Sequence, residues 1–190
     1  MEKTIAEILN QNSLFHTNRL SIQNWNFLET TMARKDKLIK SVLKIMSPNV
    51  TKDLPDGWQK IDTIDKAENW ISERKSDSNL YSITLTETKK IIGFLFLYIG
   101  NKINESYELR LGYLLTESIW GKGIGSELIK GLVEWCNSIK IIKSISGGVE
   151  KDNAGSIRVL EKNGFYKSNE ELPEDMLLYK IDFELKTKIE

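Results

Sequence analysis

One cysteine and one histidine stand among 190 residues, and that scarcity removes several classes of protein at once. Cys136 alone closes no internal disulfide, and with only His16 beside it the chain lacks the ligand spacing of a structural zinc site, so no metal is expected. Basic and acidic residues balance, 27 against 27, which leaves no overall field to draw nucleic acid or an anionic membrane. No apolar run is long enough to span a bilayer, and the opening MEKTIAEILNQNSLF mixes both charge signs without the build of a signal peptide. The expectation is a cytoplasmic protein, one domain over residues 1–190, monomer or homodimer, with no nucleic-acid or membrane partner.

Proline is scarce as well, and two of the three fall with Gly57 inside SPNVTKDLPDGWQKID, which reads as a loop. A first strand is predicted around Arg19 to Gln23. From Trp25 to about Met46 the residues Trp25, Leu28, Met32, Leu38, Ile39, Val42, Leu43 and Ile45 recur at helical spacing, as one helix or as two broken near Arg34–Asp36. Thr63 or Asp62 caps the next helix, which ends near Lys75 and carries Ile64, Ala67, Trp70 and Ile71 on one face. Then the period shortens. NLYSITLTE, KKIIGFLFLYIG and ESYELRLGYLL read as an antiparallel meander, with Tyr107, Leu109, Leu111 and Tyr113 on one face of its last strand and Glu108, Arg110 and Gly112 on the other. A helix from about Gly123 to Asn137, a strand KIIKSISGGVEK, a helix capped by Asn153 and stopped by Gly164, and the strands FYKSN and DMLLYKIDFEL complete the chain. This order predicts an α/β fold with a mixed, mostly antiparallel central sheet and helices on both faces.

Between the meander and the next helix stands WGKGIGS, with Gly121, Gly123 and Gly125 alternating. A phosphate-binding P-loop needs a glycine at position 116, where Thr116 stands, and the dinucleotide fingerprint needs one at 126, where Ser126 stands. What survives is a glycine turn that lets backbone amides approach a ligand at a helix N-terminus, whose dipole favours anions, with Lys122 adding a cation. The alternative is a turn that merely fits a tight strand-to-helix connection. LGYLLTESIWGKGIGSELI resembles the acyl-CoA-binding motif of the GNAT superfamily of N-acyltransferases, with Trp120, Gly123 and Gly125 at its three places and Trp120 departing from the usual Gln or Arg. NAGSIRVLEKNGF resembles a second pattern of that superfamily's ribosomal-protein N-acetyltransferase branch, matched by Asn153, Ser156, Lys162, Gly164 and Phe165, and TNRL before the first strand fits as well.

The resemblance implies a V-shaped cleft where the strand Glu108–Leu115 splays from Ile141–Val149, and acetyl-CoA as acetyl donor. The backbone near Leu114 and Leu115 would pair with its pantetheine arm. Trp120, Gly121, Lys122, Gly123, Ile124, Gly125 and Ser126 would hold its pyrophosphate, and Asn153 would reach the pantetheine. A backbone N–H near Leu115 would supply the oxyanion contact. Glu108 is the candidate base, acting through water, or else a partner for the Arg110 neighbourhood or a surface lysine. Leu160 stands where many members carry a proton-donating tyrosine, so Ser156 is the candidate donor, or else a first-turn residue satisfying a backbone group. The acceptor implied is a primary amine, the α-amine of a protein N-terminus or that of a small molecule, and a non-catalytic acyl-CoA-binding module is the rival.

Other residues read plainly. The resemblance implies that MSPNVTKDLPDGWQ borders the acceptor, with Trp58 as a flat wall and Asp53 or Asp56 facing an ammonium group; the alternative is that Val50, Leu54 and Trp58 pin the loop to the core. The acidic run Glu170, Glu171, Glu174 and Asp175 attracts a cationic acceptor or is a solvated turn. Cys136 reads as a core thiol, His16 as surface or edge, and Trp25, Trp70 and Trp135 as core.

Overall fold

A computed structural model of the chain describes residues 3–27, 31–52, 54–170 and 172–184. Leu28, Asp53 and Glu171, which entered the sequence reading, lie outside the described residues. Eight strands form one sheet: β1 (Ser13–His16), β2 (Leu20–Asn24), β3 (Asn79–Leu85), β4 (Ile91–Ile103), β5 (Ser106–Leu115), β6 (Ile142–Glu150), β7 (Tyr166–Lys167) and β8 (Met176–Asp182), in the order β1-β2-β3-β4-β5-β6-β8-β7. Every neighbouring pair is antiparallel except β5 with β6. The expected meander is β3, β4 and β5. Strand β1 was not foreseen, because SLFH is too short to show alternation and its pairing with β2 fixes it from outside.

The sheet separates two cores. On one face α5 (Ile124–Ser138) and α6 (Ala154–Lys162) cover Leu109, Leu111, Leu115, Ile145 and Val149, and α1 (Ile5–Leu9) adds Ile5 and Leu9 to the same cluster. On the other face α2 (Met32–Ile45) and α4 (Ile64–Asp77) enclose Trp25, Trp70, Phe94, Phe96 and Leu114. Helix α2 runs unbroken through Arg34–Asp36 because the Thr31 hydroxyl accepts from Arg34 N–H at its start and Leu38, Ile39, Val42 and Ile45 form a continuous buried stripe. Two expected core residues are corrected: Met32 is 77% exposed and Ile64 59%, each at the first turn of its helix where the stripe has not yet met the sheet. Trp25 is buried but belongs to a short 3₁₀ turn, Trp25–Phe27, ahead of α2. The expected loop after α2 contains α3 (Pro48–Thr51), started by a proline at the first helical position, and a second 3₁₀ turn, Asp56–Trp58.

The feature that organises the molecule is a split. Strand β5 pairs with β6 from Tyr107↔Ile142 to Arg110↔Ser146 and no further. Beyond that rung β5 stays paired with β4 out to Leu115, and β6 with β8 out to Glu150. The two halves of the sheet therefore part along Leu111–Leu115, the expected V-shaped cleft, leaving one edge of each strand without a ladder.

Candidate active site

Parity decides which groups line the split. Thr116 N–H donates to Ile92 O at 2.8 Å, so Leu114 and Gly112, two and four residues back, also turn their backbone toward β4, opposite Phe94 and Phe96. Tyr107 N–H donates the other way, to Ile141 O at 2.7 Å. By the same alternation Leu111, Tyr113 and Leu115 present their N–H groups to the split. Of the two residues expected to bond the pantetheine arm, Leu115 faces the cleft, whereas the Leu114 backbone is spent on β4 and its side chain lies in the second core. Tyr113, rather than Leu114, shares the free edge of β5 with Leu115. A count of odd positions from Tyr107 was the available signal.

At the mouth of the split the chain turns through Trp120–Gly123 into α5. Gly121 and Gly123 have φ of +71° and +73°, the left-handed region where a side chain is strained. Nothing lies within 4 Å of a Cβ built on Gly121, so its side of the turn is open. Among the described residues none accepts a hydrogen bond from the N–H of Gly121, Gly123, Ile124, Gly125 or Ser126, and Gly123 caps α5 without a side-chain bond. Free amides at the start of a helix of 15 residues make an anion site, and the residues fit the phosphates expected there. Gly125 lies where α5 meets α6: a Cβ there would make ordinary contact with Val159, at 3.4 Å, and with Leu115, at 3.6 Å. Ile124 is buried beneath the turn, and the Ser126 hydroxyl accepts from Asn163 Nδ2 at 3.4 Å.

Trp120 is half exposed, and its indole Nε1–H donates to Leu115 O at 2.8 Å, tying the turn to the end of β5. Lys122 is exposed, and its carbonyl accepts from Arg19 Nη1 at 3.1 Å. Arg19 was missed as a cation of this site. It pairs with Glu127 in the first turn of α5, Nε to Oε2 at 2.5 Å, while Thr17 Oγ1 and Arg19 N–H donate to Glu127 Oε1 at 2.6 and 2.8 Å. Burial pushes the Glu127 carboxyl up, and these donors bring it below its ordinary value, so a carboxylate stands at the helix start with its charge matched by Arg19.

At the start of α6, Asn153 Oδ1 accepts from Ser156 N–H at 3.0 Å, as the sequence predicts for an N-cap. No described residue bonds Asn153 Nδ2. Tyr113 OH donates to Ser156 Oγ at 3.3 Å, joining β5 to α6 beside the split. Burial raises the Tyr113 phenol above its ordinary range.

Glu108 lies below the split, on the last paired rungs of β5. Of the two roles weighed for it, the pairing with a lysine is present: Lys180 Nζ and Ser144 Oγ donate to Oε1 at 3.1 and 3.3 Å, and Asn101 Nδ2 donates to Oε2 at 3.4 Å. Partial burial pushes the carboxyl up, but Lys180 and the two neutral donors outweigh it and hold Glu108 below its ordinary value. Lys180 is pushed down by burial and drawn further up by Glu108 and Asp182. On the same sheet face Arg110, opposite Ser146, is exposed.

The segment over residues 47–59 is tied down at both ends. Glu117 accepts from Ser47 Oγ and, at 2.8 Å, from Asn49 Nδ2, and those bonds lower its carboxyl. Trp58 packs edge-on against Trp70 and Phe96, centroids 5.4 and 4.8 Å apart, with the Arg74 guanidinium 4.8 Å above its ring. Trp58 is thus a pin for the loop. Trp58→Ala is expected to lower stability by about 2 kcal/mol in a urea melt while leaving acetyl-CoA affinity unchanged in a calorimetric titration. The remaining acidic residues Glu170, Glu174 and Asp175 lie exposed on the turn before β8. Cys136 is fully buried and its thiol is raised by burial, as for a core residue, and exposed His16 bonds Ser13 Oγ through Nε2 at 3.0 Å. Among the described residues no helix is long and apolar enough to cross a membrane, and no three His, Cys, Asp or Glu side chains gather as a metal site.

A mixed sheet wedged open beside a glycine turn with free amides defines the class of the protein: an α/β domain with an opened sheet and an anion-binding geometry at one helix start. The acetyltransferase (GNAT) domain model matches residues 31–166, and the chain belongs to that family. An uncharacterized N-acetyltransferase, p20, of Bacillus licheniformis is 30% identical over 93 residues, 49% of this chain and 51% of that protein, so the match spans about half of the curated relative. A GNAT-family acetyltransferase from Bacillus anthracis has a similar fold, with a TM-score of 0.68 at 19% identity over 88% of this chain and 97% of that one. RimL, a ribosomal L7/L12 α-N-protein acetyltransferase solved with coenzyme A, is similar to the same degree, with a TM-score of 0.67 at 19% identity over 88% and 96%. At such identities the likeness is one of fold.

Proposed function

We propose that this chain, acting as one domain, transfers the acetyl group of acetyl-CoA to a primary amine, and that its acceptor is the α-amine of a protein N-terminus. The observation that carries the reading is the juxtaposition of five amides, those of Gly121, Gly123, Ile124, Gly125 and Ser126, with a strand edge that has no ladder, both without a partner among the described residues. The first suits a pyrophosphate and the second an extended arm that hydrogen-bonds as an added strand. Asn153 Nδ2 reaches the arm from α6, and the N–H of Leu115 meets the thioester oxygen as it gains charge. The choice of acceptor rests on the likeness of Trp120 and of Asn153 with Ser156 to the ribosomal-protein branch, in keeping with the fold shared with RimL.

The amine must arrive uncharged, and Glu108 receives its proton through water. Because Lys180 depresses the carboxyl, Glu108 remains ionised across the neutral range and is the fixed negative charge on the acceptor side of the split. Glu108→Gln is expected to lower kcat about 10²-fold at neutral pH. Lys180→Met is expected to move the acid limb of the rate profile upward, since the carboxyl then takes up its proton at a higher pH. The same pair sets a stability trend. A depressed folded pKa contributes stability above the unfolded value of 4.5, and that contribution is lost as pH falls through the lower folded value. Rates unchanged across pH in Glu108→Gln would remove the residue from the mechanism.

The acceptor is tested by offering acetyl-CoA with short peptides bearing a free or a blocked α-amine, and with polyamines and amino sugars, and following thiol release. Faster turnover of free-α-amine peptides supports the proposal. Turnover confined to the small amines would replace the acceptor, and tight acetyl-CoA binding without transfer to any amine would leave a binding module.

A further inference from the structure

Ser156 occupies the third position of α6, where a serine ordinarily bonds back to the backbone of its own turn. Here the Asn153 side chain serves that turn by accepting from Ser156 N–H, and the Ser156 hydroxyl leaves the helix to meet Tyr113 OH on β5 at 3.3 Å. Tyr113 is also one of the residues whose backbone faces the split, so the pair spans the cleft wall next to the ladder-free edge. Leu160 is buried and offers no hydroxyl to the site.

We infer that Tyr113 is the positioning residue for Ser156: by donating to Oγ it fixes the serine rotor, so that the serine's own O–H points into the split toward the departing sulfur. The inference rests on the acetyl-transfer reading above. In that reaction the amine nitrogen bonds to the thioester carbonyl carbon, and the C–S bond breaks with its electron pair staying on sulfur. The sulfur takes a proton from the Ser156 hydroxyl, water restores it, and the proton lost by the amine goes to solvent through Glu108, so none is gained or lost overall. A hydroxyl has one hydrogen to give and lone pairs to accept with. Occupying one of those lone pairs from a partly buried phenol removes the orientations in which serine would point at the sheet.

The experiment compares Tyr113→Phe, Ser156→Ala and the double variant, with acetyl-CoA and either a free-α-amine peptide or spermidine, by thiol release. Tyr113→Phe keeps the ring and its packing, and acetyl-CoA titration of each variant checks that the site is intact. The expected result is a kcat about 10-fold lower in Tyr113→Phe with KM for acetyl-CoA unchanged. The double variant should be no slower than Ser156→Ala alone, because the tyrosine acts only through the serine. Full activity in Tyr113→Phe, or losses that multiply in the double variant, overturns the inference while leaving acetyl transfer in place. An unaltered protein that releases no thiol with either amine overturns the transfer reading, and this inference falls with it.

Discussion

Replacing Gly123 with glutamate is expected to weaken acetyl-CoA binding by about 100-fold or more, close to 2.7 kcal/mol, while the protein stays folded. Two separable causes add. Gly123 sits at φ +73°, where any side chain costs about 1–2 kcal/mol, and the new carboxylate enters the place where free amides await a phosphate. A Cβ at this position would stand 3.7 Å from Arg19 Nη2, so the glutamate can also capture the arginine beside the turn. Gly123→Ala carries the strain without the charge and should lose much less affinity. Equal losses in the two variants would mean that the turn's shape alone matters and that no anion is bound there. Calorimetric titration reads both.

Trp70→Ala is expected to produce the largest loss of stability, about 3–5 kcal/mol, from a total of about 5–15 for a protein of ordinary stability. Trp70 is 2% exposed and meets Trp58, Phe94 and Phe96 with ring centroids 5.4, 5.7 and 6.0 Å away, so truncation opens a cavity that several rings border. Its Nε1–H is buried and has no partner among the described residues. Trp70→Phe keeps a ring in place and removes that unpaired donor, so its cost should be well below that of alanine. Denaturant melts measure both. Acetyl-CoA affinity should hold while the protein remains folded, because Trp70 belongs to the core on the face of the sheet opposite α5.

Where the information was local, it could be read from the sequence. Alternation in NLYSITLTE and ESYELRLGYLL gave β3 and β5, Thr63 and Asn153 capped the helices they precede, and Gly121 and Gly123 proved to need their left-handed turn. What escaped was set by contacts distant along the chain. Glu108 meets Lys180 across 72 positions, and Arg19 meets Glu127 across 108, with no pattern near either residue to announce the pair. The exchange of Leu114 for Tyr113 at the cleft edge is a matter of one-residue parity, fixed by the register of β5 on β4. Tyr113 read as one apolar-face residue among four. Only the sheet's parting after Arg110 turns its backbone and hydroxyl into parts of a site. Trp58 was legible as either wall or pin, and its contacts with Trp70, Phe96 and Arg74 show the pin.

The central claim is that acetyl-CoA lies along the free edge of β5 with its pyrophosphate on the amides that open α5. Residue-resolved amide hydrogen exchange with and without acetyl-CoA tests it most directly. The expected result is slowed exchange at Tyr113 and Leu115, at Gly121 and from Gly123 to Ser126, with Leu114 unchanged because its N–H is already paired to β4. Exchange that is unaltered at all of these amides in the presence of saturating acetyl-CoA would contradict the account.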